Sequence, residues 1–285
     1  MIVVTGATGQ LGSLVIEQLL QKIPANQIVA AVRTPAKASQ LAAKGIDVRL
    51  ADYSRPETLT AAFAGATKVL LISGNELGKR IPQHKAVIDA AKAAGVRLFA
   101  YTSLLRADTS TLALAEEHLV TEQYLRASGV PFVLLRNGWY FENQTAGIAP
   151  ALQQGAFIGS SKNGRFASAT REDYASAAAV VLAGEGHENQ VYELAGDAPY
   201  TRAELAAEVS KQTGKPVAYH DLPEAEYEKI LTGILPPEIA HLLADAEAKA
   251  ANGELDDQSH TLSRLIGRQT TPLSDAVATA LKESH

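Results

Sequence analysis

Cysteine is absent from the 285 residues, which excludes disulfides, thiolate nucleophiles and thiolate metal ligands. A reducing cytoplasm is the expected setting. No apolar run is long enough for a bilayer: the longest, Ala175 to Ala183, is short and alanine-rich, whereas a spanning helix takes about 20 apolar residues. No charged-then-apolar leader precedes the first predicted strand, so neither secretion by that route nor membrane insertion is expected. Cations are scattered rather than clustered, and 31 acidic residues against 26 Lys and Arg leave a formal charge of −5. That balance argues against a phosphate-backbone footprint, and nucleic acid is not an expected partner. There is no internal repeat, no low-complexity linker, and no cluster of histidines and carboxylates to hold a metal.

What is present is a rhythm. Apolar runs at 2–5, 28–32, 46–50, 68–73, 97–102 and 131–136 alternate with helical patterns at 10–22, 35–44, 56–64, 82–94 and 113–128. Such βαβ repetition predicts an α/β fold of the Rossmann type, a doubly wound parallel sheet with ligands at the carboxyl ends of its strands. Pro35 and Pro56 stand where first-turn prolines belong, and Gly45, Gly95 and Gly129 where left-handed helix caps are wanted. After Arg136 the pattern turns polar and aromatic. A helix near 171–183 and a strand near 191–194 resume the sheet, and from Tyr200 the chain reads as mainly helical with one short strand near 216–220. Pro223, Pro236, Pro237 and Pro272 mark helix starts, and the polar stretch 252–260 is expected to be mobile. Residues 1–138, with the sheet completed by about 167–195, therefore form a predicted nucleotide-binding domain. Residues 139–166 and 196–285 form a smaller, mainly helical substrate-side domain. The length suffices to bury a core without an oligomeric partner.

The strand at 2–5 runs into Thr5-Gly6-Ala7-Thr8-Gly9-Gln10-Leu11-Gly12, and Leu11, Leu14, Val15, Leu19 and Leu20 follow at helical spacing. A glycine triplet between strand and helix serves a tight turn, a close approach to a pyrophosphate and the packing of helix on strand. The N–H groups of Leu11 to Val15 are expected to face the anion, aided by the helix dipole. The second strand ends in Val32-Arg33-Thr34, where an NAD enzyme carries an acidic residue for the ribose diol. With no acidic competitor nearby in sequence, Arg33 predicts a contact with a 2′-phosphate and hence NADPH, with Lys37 assisting. Topology alone adds Asp52 and Tyr53 beside the adenine, and Ser73 and Gly74 close to the cofactor.

None of the nine tyrosines is followed by Lys four residues later. The Tyr-x-x-x-Lys pair that many short-chain dehydrogenases use as an acid is therefore missing, which disfavours ordinary ketone reduction. A quinone asks for less, because hydride addition ends in an aromatic hydroquinone.

Five stretches carry a specific likeness: Thr5–Gly12, Tyr101-Thr102-Ser103, His118-Leu119-Val120-Thr121-Glu122, Leu135-Arg136-Asn137-Gly138-Trp139-Tyr140 and Ala167-Ser168-Ala169-Thr170-Arg171. Together they resemble the NmrA-like atypical short-chain dehydrogenases, nearly end to end, and within them most closely the bacterial type-2 NAD(P)H:quinone oxidoreductases, with triphenylmethane dye reductases as near relatives. The resemblance implies a flavin-free, metal-free enzyme passing hydride from NADPH to a quinone or similar conjugated acceptor in a cleft between two domains. With Arg33 read from its place after the second strand and Asp52, Ser73 and Gly74 from topology, the residues expected at the cofactor are Gly6, Ala7, Thr8, Gly9, Gln10, Leu11, Gly12, Arg33, Asp52, Ser73, Gly74, Thr102, Ser103, Asn137, Gly138, Trp139 and Tyr140. Trp139, Tyr140, Phe141 and Asn143 are the candidate acceptor residues, and His118 and Tyr140 the candidate catalytic ones. Two roles stay open for His118: orienting the nicotinamide ribose or relaying a proton, and a helix histidine paired with Glu122. A rival to the enzyme is a redox-sensing regulator, since NmrA-like folds also bind the dinucleotide without turning it over.

Overall fold

Ile2-Val3-Val4-Thr5 and Ile28-Val29-Ala30-Ala31-Val32 lack alternating polar positions, the pattern of strands covered on both faces. In the computed structural model, which describes residues 1–283, all nine of these side chains are buried in one seven-stranded sheet. Its strands are β1 (Ile2–Thr5), β2 (Ile28–Val32), β3 (Asp47–Leu50), β4 (Lys68–Leu71), β5 (Leu98–Leu104), β6 (Phe132–Asn137) and, beside β6, a later strand, Gln190–Leu194. The order β3-β2-β1-β4-β5-β6 is parallel throughout, and it reverses direction between β1 and β4. At that reversal two crossovers leave the sheet on opposite faces, so a crevice opens beyond the strand ends.

The helices between the strands are α1 (Gln10–Leu20), α2 (Ser39–Ala43), α3 (Pro56–Ala62), α4 (Arg80–Ala93) and α5 (Ala115–Ser128). Gly45, Gly95 and Gly129 follow α2, α4 and α5 with φ of +82°, +69° and +78°, a conformation that costs glycine little. On one face Leu59, Phe63, Val87, Ile88 and Leu125 pack with Phe99 and Tyr101 of β5; each side chain so buried contributes about 1.5–3 kcal/mol.

The chain forms two compact units. One comprises Met1–Ala107, Glu117–Asn137 and Arg171–Glu193, and holds most of the sheet. Within it Leu11, Val15, Ile16 and Leu19 turn α1 inward, and α1 runs against the helix Arg171–Ala183, whose buried alanines let two backbones come close.

The second unit takes Asp108–Glu116, Gly138–Thr170 and the chain from Leu194 on. Its elements in chain order are α6 (Phe141–Thr145), α7 (Ile148–Gln154), β7 (Ala156–Gly159) and β8 (Arg165–Phe166). With the helix Arg171–Ala183 taken as α8 and the strand Gln190–Leu194 as β9, there follow β10 (Tyr200–Thr201), α9 (Arg202–Thr213), β11 (Ala218–Asp221), α10 (Glu224–Thr232), α11 (Pro237–Ala250), α12 (Thr261–Ile266) and α13 (Leu273–Glu283). The unit is more than helices: β7 pairs in parallel with β11, and β8 antiparallel with β10. Thr201 and Glu204 form a reciprocal capping box at the start of α9. Arg202 is ion-paired with Glu247 in the interior and lies 5.3 Å over the Phe166 ring. The stretch 252–260 is tied down rather than loose. Its one aliphatic side chain, Leu255, is buried, and the Leu255 carbonyl accepts the Ala167 N–H at 2.8 Å.

Candidate functional site

A cavity of about 530 Å³ opens in the first unit where the sheet order reverses. Gly6, Thr8, Gly9, Gln10, Leu11 and Gly12 form one wall, Arg33, Thr34, Lys37, Ala51, Asp52 and Tyr53 a second, and Ile72 to Glu76 with Gln83 a third. Ten of the residues expected at a cofactor are thereby brought together: the glycine-loop residues except Ala7, then Arg33, Asp52, Ser73 and Gly74.

The glycines have separable reasons. Gly6 sits at φ +60°, where a side chain strains the backbone. A Cβ on Gly12 would overlap the Gly6 carbonyl oxygen and lie 2.9 Å from Ala7 Cα, so only glycine lets α1 close down on the loop. Gly9 is the N-cap of α1; it is extended, carries no capping side chain, and no carboxylate follows in the first turn. The N–H groups of Gln10, Leu11 and Gly12 thus begin the helix without an intrahelical acceptor. The donor set is earlier than the expected Leu11 to Val15. Ser13 N–H already donates to the Gly9 carbonyl at 3.0 Å, and the residues after it are inside the helical ladder.

Tyr53 lines the cavity and at the same time braces the loop. Its hydroxyl lies 2.5 Å from Thr5 Oγ1 and donates to the Ile72 carbonyl at 3.1 Å, and burial raises its pKa. Arg33 projects with two thirds of its side chain exposed, and its Nη1 meets Glu76 Oε1 at 2.9 Å. The acidic neighbour that the local sequence lacks is therefore supplied by the loop after β4. Lys79 is hydrogen-bonded to Glu76 Oε2 at 3.3 Å and is the largest of the causes that lower the Glu76 pKa, ahead of the Arg33 charge.

The third wall is held from within. Ser73 N–H donates to Thr102 Oγ1 at 2.9 Å, and the Gly74 carbonyl accepts from Arg80 Nε at 2.5 Å. Gly74 N–H donates to His84 Nε2 at 2.9 Å. That bond makes Nε2 an acceptor, so in a neutral ring the proton is on Nδ1, which donates to Thr121 Oγ1 at 3.0 Å. Thr121 passes its hydrogen to the Glu117 carbonyl at 2.8 Å. Burial first, then the Arg80 charge, hold the His84 pKa down at about 3.

His118 lies in the same buried layer. Its Nδ1 is 2.8 Å from the Tyr101 hydroxyl, and burial, followed by Arg80 and His84, presses its pKa well below the usual value. It is not paired with Glu122. That carboxylate accepts from Ser103 Oγ at 2.6 Å and from Arg136 Nε and Nη2 at 2.9 and 2.6 Å, while Arg136 Nη1 reaches Glu193 at 2.8 Å. Ala7, Thr102, Ser103 and Asn137 are likewise buried in this unit and do not line the cavity. His118 is thus a buried ring held by the Tyr101 hydroxyl, and desolvation favours its neutral form.

Gly138, Trp139, Tyr140, Phe141 and Asn143 belong to the second unit. Trp139 and Tyr140 are half-buried, and Tyr140 is bridged to Ala169. Phe141, expected at the acceptor, is a core residue instead: it is 2% exposed and stacks on Tyr200 with centroids 5.3 Å apart. Its position after a strand concealed that its ring faces Tyr200. The residues the sequence did not point to are Asn75, Glu76 and Gln83 on the third wall, and Arg80 and His84 behind it. Gly74 and Gly78 announced a loop there, but nothing local announced what it would face. Among the described residues no group of three or more His, Asp or Glu side chains can hold a metal ion, and no helix is long and apolar enough to cross a membrane.

The model of the NmrA-like family matches residues 1–279. Quinone oxidoreductase 2 of Escherichia coli (strain K12) is 56% identical over 279 residues, spanning 98% of each chain. The crystal structure of the NADPH-dependent quinone oxidoreductase of E. coli complexed with NADPH superposes with a TM-score of 0.97 at 55% identity, over 99% of this chain and 100% of that one. The triphenylmethane reductase of Citrobacter sp. complexed with NADP(H) does so with a TM-score of 0.94 at 41% identity, over 98% and 100%.

Proposed function

Because the chain belongs to the NmrA-like family, we propose that it is an NADPH-dependent quinone reductase that transfers hydride directly from cofactor to quinone. The observation that carries this is the cavity: an uncapped helix N-terminus and two cations, Arg33 and Lys37, face one open volume of about 530 Å³. These residues fit a dinucleotide phosphate on their own chemistry. The N–H groups of Gln10, Leu11 and Gly12 suit a pyrophosphate, whose charge the α1 dipole favours. Arg33 supplies a planar, fully charged fork for a 2′-phosphate, with Lys37 as a second cation.

When bound, NADPH supplies the hydride. The chain's part is to fix the dinucleotide. Gly12 lets α1 approach, Tyr53 ties the ends of β1 and β4 together, and the bonds from Arg80 and to His84 hold the C=O and the N–H of Gly74. Asp52, Ser73 and Gly74 complete the proposed nucleotide side. In the second unit Trp139, Tyr140 and Asn143 are the proposed acceptor residues, Tyr140 with its hydroxyl as a proton donor, and we assign His118 to holding Tyr101. The expected home is the cytoplasm, which a cysteine-free chain fits.

The test is oxidation of NADPH with benzoquinone or a naphthoquinone by purified protein that is colourless and flavin-free. Deuterium from one face of C4 of NADPH should be transferred with an isotope effect when chemistry limits. Tight NADP⁺ binding without turnover of any acceptor would replace the enzyme by a sensor, and a bound flavin would replace direct transfer.

A further inference from the structure

Glu76 stands on the cavity wall opposite the cofactor-reading cations, and the manner in which it is held is informative. Its Oε1 takes Arg33 Nη1 at 2.9 Å, while its Oε2 takes Lys79 Nζ at 3.3 Å and Gln83 Nε2 at 3.4 Å. Lys79 and Gln83 do not depend on Arg33. Gln83 is buried and also anchored on Ser54 Oγ at 3.0 Å. If Arg33 swings away, the carboxylate keeps two of its three donors, so the pair can open without leaving Glu76 uncompensated.

We propose that Glu76 tunes the cofactor specificity of this chain: it occupies Arg33 as a stand-in for the 2′-phosphate and must surrender it for NADPH to bind. The inference rests on the reading of Arg33 as the 2′-phosphate contact. With NADPH, a dianionic group takes the guanidinium from Glu76 and then faces a neighbouring carboxylate. With NADH nothing displaces Glu76, and the pair remains closed. Glu76 thus taxes NADPH alone and narrows the preference that Arg33 creates. An exposed pair of this kind exchanges readily, because solvent screens it and both side chains regain freedom on parting.

The experiment is calorimetric titration, without any acceptor, of the wild-type chain, Glu76→Gln, Arg33→Ala and the double variant. The probes are NADP⁺, NAD⁺, adenosine 2′,5′-bisphosphate and AMP. Glu76→Gln should bind NADP⁺ and the bisphosphate about two- to fivefold more tightly, with NAD⁺ and AMP unchanged. The gain should vanish in the Arg33→Ala background. Equal effects on both nucleotides, no tightening, or a gain that persists without Arg33 overturns the proposal. Failure of the underlying reading looks different: Arg33→Ala would then weaken NADP⁺ and NAD⁺ alike. Because glutamine keeps the size of Glu76 and an acceptor oxygen for its donors, a nearly unaltered melting curve is expected for Glu76→Gln.

Discussion

The cavity and the histidine layer next to it meet at one residue, Gly74, and treat their polar groups in opposite ways. On the cavity side α1 begins with no cap, and Arg33 is 66% exposed with a single carboxylate partner. In the adjoining layer His84, Thr121, Tyr101 and His118 are at most 4% exposed, and each is hydrogen-bonded to another group. A polar group can serve a ligand only if the bonds it gives up inside the chain are cheap. Residue type alone therefore says little here: the histidines are bonded within the chain, whereas the uncapped backbone amides at the start of α1 face the cavity.

The buried side of this contrast should yield the largest effect. Arg136 sets Nε and Nη2 on the two oxygens of Glu122 and Nη1 on Glu193, with both Arg136 and Glu122 almost fully enclosed. Arg136→Ala leaves a buried carboxylate with the Ser103 hydroxyl in place of a guanidinium, which costs about 3–5 kcal/mol. Urea unfolding measures it, and a loss below about 1 kcal/mol, the range of surface pairs, would show that water reaches this layer. Next in size is Gly12→Ala. The added methyl meets backbone, not a side chain that can turn away, and overpacking of that kind costs on the order of 1–3 kcal/mol. Here NADP⁺ binding should fall along with the melting temperature. Loss of stability with binding intact would separate loop packing from the phosphate site.

On the open side, Arg33→Ala should barely touch stability, because its one partner is a solvent-screened carboxylate. It should raise KM for NADPH by about tenfold or more, the worth of a lost charge-assisted contact, and leave NADH unmoved. Equal weakening of the two cofactors would remove Arg33 from the phosphate.

How much of this was written locally follows the same division. The βαβ rhythm, Gly45, Gly95 and Gly129 as helix ends, and the glycine loop all depend on neighbours within a few residues, and they read correctly. The partners of the site residues do not. Glu76 lies 43 residues from Arg33, and Glu193 lies 57 from Arg136. Each is set by sheet order, which local periodicity does not encode. Phe141 was misread because an aromatic after a strand faces a ligand or a core with equal ease, and Tyr200, which decides it, is far along the chain. The stretch 252–260 was misread because a single Leu255 outweighs its polar neighbours once a backbone acceptor is needed at Ala167.

The smallest predicted effect decides which side of the comparison His118 is on. In the folded chain burial is the chief reason that His118 titrates well below its usual value and His84 at about 3. In the unfolded chain both titrate near 6.5. As pH falls through 6.5, the unfolded chain takes up protons that the folded chain refuses. Stability is therefore lost on acidification, and goes on being lost toward the folded values. Between pH 7 and 5.5 each such imidazole contributes about 1 kcal/mol of that loss. His118→Gln removes one of the two, so its urea midpoint should fall less than that of the wild type over this interval, while kcat with a naphthoquinone stays within about threefold. A proton relay predicts the reverse, with kcat lower by about 10- to 100-fold and the acid dependence of stability unchanged. That result would restore His118 to the chemistry.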